Sequence, residues 1–308
     1  MEAQLAALRP ELVGFAYRML GSPYEAEDAA QETLLRAWKH GGDYDPARGS
    51  VRTWVYRIAT NVCLDMLRSA RRRARPVDFE ATLTLGAPLP ETTWVLPILG
   101  DPAEVAVRRD TVRLAFVAAL QHLPARQRAV LILRDVFCWP ADEVAVLLDT
   151  TVPSVTSALQ RARAALRKTD LAPPSTLSDE AKLALVERYA DAFHRDDIAA
   201  LVAVLQEDVL NSMPPFTWWI RGRDTVAAVM AASDGSCHGA RLVPVTANGG
   251  LALWQERPTG PGGSFERFAL LVFEFGDELI SEVTTFLGYR AEAPAVIKPG
   301  PADVTGRP

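Results

Sequence analysis

Apolar positions fall at helical spacing from the start of the chain to about Lys168 and at strand-like spacing towards its end. The first helical pattern runs from Gln4 to His40, breaks at Gly21-Ser22-Pro23 and resumes from about Glu25. Residues three and four apart share a helix face, so Ala26, Ala30, Leu34 and either Ala37 or Trp38 make an inward stripe. Asp28, Gln31, Glu32, Leu35 and Lys39 are left for other directions. Beyond the loop GGDYDPARGS a third helix is predicted from about Val51 to Arg68, with Val51, Val55, Ile58, Val62 and Met66 inward. Arg52, Trp54, Arg57, Asn61 and Arg68 then point mainly elsewhere. Aromatics among arginine and asparagine suit unpaired bases and a single-stranded backbone, although Trp54 and Tyr56 as core aromatics fit the same pattern.

Between Trp139 and Lys168 stand two short amphipathic segments and a polar break. Ala141, Val144, Ala145 and Leu148 form the first stripe, and Val155, Leu159, Ala162 and Leu166 the second. Asp149, Thr150 and Thr151 are turn formers, Thr151 can cap the next helix, and Pro153 falls in the first turn, where its missing N–H is tolerated. This is the pattern of a DNA-reading helix-turn-helix. Ser154, Thr156, Ser157, Gln160, Arg161, Arg163 and Arg167 remain for base edges and phosphates. A surface helical hairpin with a solvated basic face is the alternative.

After the linker LAPPSTLSDE, Leu183, Val186, Ala190 and Phe193 mark a helix and Ile198 to Leu205 a second. VLNSM and TWWIRG read as strands before a short helix from Asp224 to Ala232. ARLVPVTA, GLALWQER, FERFALLVFEF and ELISEVTTFL follow as strands, separated by Asn248-Gly249-Gly250, a Pro/Gly loop and Gly276-Asp277. Helices followed by a meander predict an α+β domain, with a curved antiparallel sheet around a cavity.

Length and charge sharpen this division. At 308 residues, 49% of them hydrophobic, the chain has material for two or three domains with real cores. The net charge of -5 excludes nonspecific coating of nucleic acid, but the charge is unevenly spread. Arg68, Arg71, Arg72, Arg73 and Arg75 form one basic cluster and Arg161 to Lys168 another. From Pro76 to Val107 there is no Lys or Arg, and Asp78, Glu80, Glu91, Asp101 and Glu104 make the stretch acidic. Its prolines and glycines leave no helical or strand period, so it is expected to be an extended tether. Cys63, Cys138 and Cys237 form no CxxC or Cys/His cluster, which leaves neither a disulfide framework nor a metal site in prospect. The amino terminus lacks a basic flank and a long apolar run, so a soluble, cytoplasmic protein without a membrane segment is expected.

The stretch AEDAAQETLLRAWKH with YDPARGSVRTWVYRIATNVCLDMLRSARRR resembles the second region of bacterial sigma-70-type factors, specifically the extracytoplasmic-function (ECF) group. LPARQRAVLILRDVFCWPADEVAVLLDTTVPSVTSALQRARAAL resembles that group's fourth region. The resemblance implies two all-α sigma domains, at 1–75 and 109–170, joined by the acidic connector 76–108. It implies that the helix bearing Asp28, Gln31, Glu32 and Leu35 docks on the RNA polymerase core, through its beta and beta-prime subunits. Arg52, Trp54, Arg57, Asn61 and Arg68 would act at the −10 element, where Trp54, Arg57 and Asn61 are candidates for capturing a flipped base. The helix from Val152 to Lys168 would enter the major groove at the −35 element. The connector would thread a basic channel of the polymerase, its acidic residues mimicking transcript charge.

Residues 179–290, after a linker at 171–178, resemble the SnoaL-like group of cone-shaped, nuclear-transport-factor-like domains, on element order and on GRD before the third helix. Tyr189, Met213, Trp218, Trp219 and Trp254 could line its pocket and hold a small molecule. The superfamily includes enzymes, and Asp191 with His238 could supply an acid and a base. A regulatory domain contacting both sigma domains is the reading preferred on architecture, with no catalytic residue and no cofactor. The tail 291–308 is expected to be disordered. The rival reading is a stand-alone helix-turn-helix regulator with a ligand-sensing last domain.

Overall fold

The computed structural model describes residues 2–69, 72–82, 84–100, 111–169, 173–232, 239–259 and 263–290. The first module is three helices: α1 (Glu2–Leu20), α2 (Pro23–Lys39) and α3 (Val51–Ser69). Local chemistry sets the break between α1 and α2. Gly21 takes a left-handed φ of 74°, Ser22 Oγ accepts from the Glu25 N–H at 3.4 Å, and Pro23 opens the helix. A Cβ on Gly21 would come within 3.2 Å of the Gln121 side chain, so this turn also lies against the second module.

That second module holds α4 (Leu114–Leu120), α5 (Ala125–Leu131), a π-helical turn (Ile132–Val136), α6 (Ala141–Leu147) and α7 (Val152–Leu166). The break between α6 and α7 has the predicted chemistry: Asp149 is left-handed at φ 51°, and Thr151 Oγ1 accepts from the Ser154 N–H at 3.3 Å.

The last module pairs α8 (Asp179–His194), α9 (Ile198–Val202) and α10 (Arg223–Ala231) with six strands. These are β1 (Leu205–Ser212), β2 (Trp219–Arg221), β3 (Arg241–Ala247), β4 (Gly250–Pro258), β5 (Phe265–Phe275) and β6 (Ile280–Leu287), ordered β2-β1-β6-β5-β4-β3. Some details differ from the sequence reading. The sheet is antiparallel except where β1 runs parallel to β6. In α8 the buried stripe is Leu185, Val186, Tyr189 and Ala192, while Leu183 is 40% exposed, because the helix turns its face by about a residue to meet the sheet. The second helix also stops at Val202, and Leu205 already belongs to β1.

Both faces of the sheet are buried. Leu253, Leu271, Phe273 and Val283 pack with Val186 and Tyr189 of α8 in the domain's own core. Alternation along the strands sends Trp254, Leu270, Val272 and Phe286 to the other side. There they join one continuous core with Tyr17 and Leu20 of α1, Val117 of α4 and Trp94 and Leu96.

Trp94 and Leu96 lie in the connector, and their burial corrects the expectation of a tether. Residues 76–82 and 84–100 are wedged between the first module and the sheet, with Trp94 1%, Val95 3% and Leu96 4% exposed. Full burial of such a side chain is worth about 1.5–3 kcal/mol. Hydrogen bonds fix the path: Val95 N–H to Ala74 O at 3.0 Å, Leu96 N–H to Gly21 O at 2.9 Å, Leu89 N–H to Pro215 O at 2.8 Å, and Gly100 N–H to Thr246 O at 3.0 Å. The prolines that removed any regular period are compatible with this extended, side-chain-anchored course. Residues 101–110 and the tail 291–308 lie outside the described residues.

Candidate nucleic-acid interface

Trp54, Arg57 and Asn61 come together in the structure. They line a cavity of about 270 Å³ with Tyr44, Thr53 and Ile58, and the Tyr44 and Trp54 rings sit 5.6 Å apart. The loop before α3 supplies the Tyr44 wall. Tyr44 Oη donates to Gly49 O at 3.1 Å, Asp45 caps the short turn at Ala47 N, and Ser50 Oγ accepts from the Thr53 N–H. Aromatic rings, a guanidinium and an amide around a small cavity can stack a base and bond its edge. Two further walls were not foreseen: Val146 and Leu147 of α6, in the second module, complete the same cavity.

The remaining candidates on α3 lie apart. Arg52 pairs with Glu11 of α1 at 2.8 Å and stacks over the Tyr56 and Trp139 rings, so its charge is spent within the fold. Arg68 pairs with Asp65 at the far end of the helix. Tyr56 is fully buried, as the core-aromatic alternative held, whereas Trp54 is not.

On α7, Val155, Leu159 and Ala162 are buried, and Ser154, Thr156, Ser157, Gln160, Arg161, Arg163 and Arg167 are all exposed. The polar face is open to a groove. Arg163 is held: its Nε and Nη2 make a two-point pair with Asp135 at 2.8 and 2.6 Å, which also keeps its pKa above the ordinary value. Arg161 and Arg167 are exposed cations of this set outside that pair.

Comparison with known proteins decides between the two readings of this geometry. Residues 5–73 match the Sigma-70 region 2 family model, 113–166 match Sigma-70, region 4, and 186–283 match the SnoaL-like domain. ECF RNA polymerase sigma factor SigG of Mycobacterium tuberculosis is 38% identical over 306 residues, covering 91% of this chain and 79% of its own. The chain belongs to the ECF sigma factors. SigJ of the same organism is 30% identical over 233 residues, covering 73% of this chain and 70% of that one. A crystal structure of M. tuberculosis SigJ shares the fold, with a TM-score of 0.65 at 22% identity, and covers 93% of this chain and 96% of that one. Helical sigma modules followed by a SnoaL-like α+β domain are therefore the architecture of this sigma factor.

On α2 of the sigma factor, Asp28, Gln31 and Leu35 are exposed, and Glu32 pairs with Arg36 at 2.6 Å. The choice between Ala37 and Trp38 is settled: Ala37 is fully buried and Trp38 is 67% exposed. Trp38 continues the 28-31-35 row at helical spacing, and that spacing was the signal that could have placed it there.

The SnoaL-like domain does not gather its five candidates. Tyr189 packs edge-on to Phe273 at 5.3 Å, Trp218 is 5% exposed, and Met213 lies against the same inner core. Trp219 donates from Nε1 to Phe79 O of the connector at 3.0 Å. Trp254 is on the opposite face, stacked with Tyr289 at 6.1 Å and under the Arg267 guanidinium. Asp191 is exposed, and His238 lies outside the described residues.

What the domain does gather is contact with the rest of the sigma factor. Asn248, at the tip of the β3–β4 hairpin, is 4% exposed. Its Nδ2 donates to Tyr17 Oη of α1 and to Val112 O, just before α4, both at 2.7 Å. Its Oδ1 accepts from the Ile98 N–H of the connector at 3.1 Å. Tyr17 Oη in turn donates to Leu96 O at 2.8 Å, and burial pushes its pKa well up. Nearby, Glu274 of β5 takes Arg113 at 2.6 Å, and its cross-strand partner Glu282 of β6 takes Arg75. Burial raises the Glu274 carboxyl pKa, and the Arg113 charge works against that rise. No group of His, Cys, Asp or Glu among the described residues could hold a metal ion, and no described helix is long and apolar enough to cross a membrane.

Proposed function

We propose that this ECF sigma factor directs RNA polymerase to promoters through three surfaces, under restraint from its own SnoaL-like domain. Asp28, Gln31, Leu35 and Trp38 on α2 form the face for the polymerase core, with its beta and beta-prime subunits as partners. Trp54, Arg57 and Asn61 read the −10 element as single strand. Ser154, Ser157 and Gln160 approach base edges at the −35 element, with Thr156 flanking them and Arg161 and Arg167 on phosphates. Arg52 and Arg163 support these surfaces through their pairs with Glu11 and Asp135, and Arg68, paired with Asp65 on the surface, lies at the edge of the −10 face.

The observation that carries the restraint is Asn248. One side chain holds the first module, the connector and the start of the second module together. Removing it takes the partner from the Ile98 N–H and from Val112 O, at a cost of about 1–3 kcal/mol for each, while Tyr17 Oη keeps its bond to Leu96 O. The contact supports a domain that acts as a clamp, with no catalytic step required of it. A cavity of about 440 Å³ beside the clamp, lined by Arg113, Leu114, Lys182, Asn248, Leu251 and Glu274, gives a small-molecule effector a seat next to Asn248 and the Glu274–Arg113 pair.

The test is transcription reconstituted with purified core polymerase and the full-length chain. Asn248→Ala is expected to raise core binding and initiation, and Trp38→Ala to lower core binding. Initiation unchanged in Asn248→Ala would overturn the clamp, and core binding unchanged in Trp38→Ala would remove that face.

A further inference from the structure

The −10 cavity is assembled from both modules. Its floor and aromatic wall come from α3 and the loop before it, and its remaining wall is the last turn of α6. Leu147 is 3% exposed, anchoring that turn in the shared core, whereas Val146 is 55% exposed at the cavity's rim. α6 is also the first helix of the helix-turn-helix, so it cannot leave without taking α7 with it. We propose that α6 is a lid on the −10 base pocket, and that the closed chain reads the −35 duplex while being unable to capture a −10 base. Promoter reading is thereby ordered: duplex recognition is available from the start, and base capture waits for the modules to part.

The two DNA-reading faces differ in access. The exposed residues of α7 point away from the buried stripe Val155, Leu159 and Ala162, and nothing among the described residues covers them in the closed arrangement. Val146, by contrast, lines the same cavity as Trp54 and Asn61, so a base captured there would share that space with it. Closure is reinforced at the root of the lid. Trp139 immediately precedes Pro140, the cap of α6, and the Arg52 guanidinium of α3 lies 4.9 Å from the Trp139 ring. The α3 face and the α6 root are thus joined by the same arginine that pairs with Glu11. Ala145, 5% exposed, and Val144, fully buried, seat the middle of α6 in the shared core.

The inference rests on the assignment of Trp54, Arg57 and Asn61 to base capture, and the experiment separates the two. Asp43 and Val146 line the same cavity, so cysteines placed there can be joined by a bis-maleimide whose spacer contains a disulfide. The full-length variant is Asp43→Cys with Val146→Cys, made with Cys138→Ser and Cys237→Ser; Cys63 is buried, so only the new pair reacts. A promoter fragment is first selected from random duplexes with the reconstituted holoenzyme. Its −35 half is then used as duplex and its −10 half as single-stranded non-template DNA, with binding to each followed by fluorescence anisotropy.

A closed form that opens only part of the time binds with an affinity reduced by its open fraction, so linking should weaken single-strand binding by about tenfold or more. Duplex binding should change by less than about twofold, and cleaving the spacer should restore the single-strand value. Equal single-strand binding by linked and cleaved protein overturns the lid. Single-strand binding that Trp54→Ala leaves unchanged in the cleaved protein overturns the base-capture assignment instead. Adding Asn248→Ala to the cleaved protein should tighten single-strand binding; no change there counts against the clamp and leaves the lid standing.

Discussion

The two helix faces proposed to read DNA in this sigma factor are built alike and presented differently. Each is one face of a helix whose other face is buried: Val55 and Val62 on α3, Val155 and Ala162 on α7. Yet α7 shows its polar row to solvent, while the α3 cavity shares its wall with α6. The difference follows from where each helix sits. α7 is at the periphery of the second module, whereas α3 lies at the seam between modules. A helix at a seam can be switched by moving its neighbour, and a peripheral one cannot.

The comparison is broken most strongly through Trp54. Trp54→Ala removes a stacking platform worth about 1–3 kcal/mol per base, so promoter melting by the holoenzyme should fall roughly 5- to 150-fold. Binding of a −35 duplex by the free protein should not change, and a parallel loss in both assays would show that the substitution acts on folding. Gln160→Ala is the converse: about tenfold weaker binding at one base pair of the −35 duplex, within the ~1–3 kcal/mol of a good base contact, with melting of a pre-opened fork untouched.

Smaller effects sharpen the contrast. Asn248→Ala should raise amide hydrogen exchange where α3 meets α6 by about tenfold, the equivalent of roughly 1.4 kcal/mol, and leave α7 unaffected. Arg161→Ala should reduce the salt dependence of −35 binding by about 0.9 in the log–log slope, for all sequences alike, whereas Arg163→Ala, spent on Asp135, should change it less.

Glu274 gives the smallest effect. Its folded pKa is raised by burial, so the folded chain binds a proton that the unfolded chain releases earlier as pH rises. The stability it contributes is present at acidic pH and is lost as pH climbs through the folded value. In Glu274→Gln this slope should flatten in denaturation midpoints measured across mildly acidic pH.

Much of the fold was legible because its signals are local. Ser22 before Pro23, and Thr151 two residues before Pro153, announce helix starts by chemistry that needs nothing distant. Asn248-Gly249 likewise marks a tight hairpin, with φ of 50° and 73°. The grouping of candidate residues was legible where helical spacing alone gathers them, as with Trp54, Arg57 and Asn61, which line one cavity. The placement of Trp254 was not, because strand alternation gives two faces without saying what covers each. A signal was present nonetheless: Ala269, Leu270, Leu271, Val272 and Phe273 run apolar without alternation, as a strand buried on both sides does. Burial of Trp94 was hidden for another reason, since an extended segment held by single anchors leaves no period to read.

Asn248 is followed by glycine, the neighbour that least hinders attack of its backbone nitrogen on the asparagine side-chain carbonyl. That attack expels ammonia and, after water opens the ring, leaves a carboxylate where Nδ2 had been a donor. In the closed chain three hydrogen bonds hold the amide away from that course. Closure therefore also sets how long the chain stays chemically intact: peptide mass mapping of aged protein should find deamidation at Asn248 faster in Tyr17→Phe than in the unaltered chain.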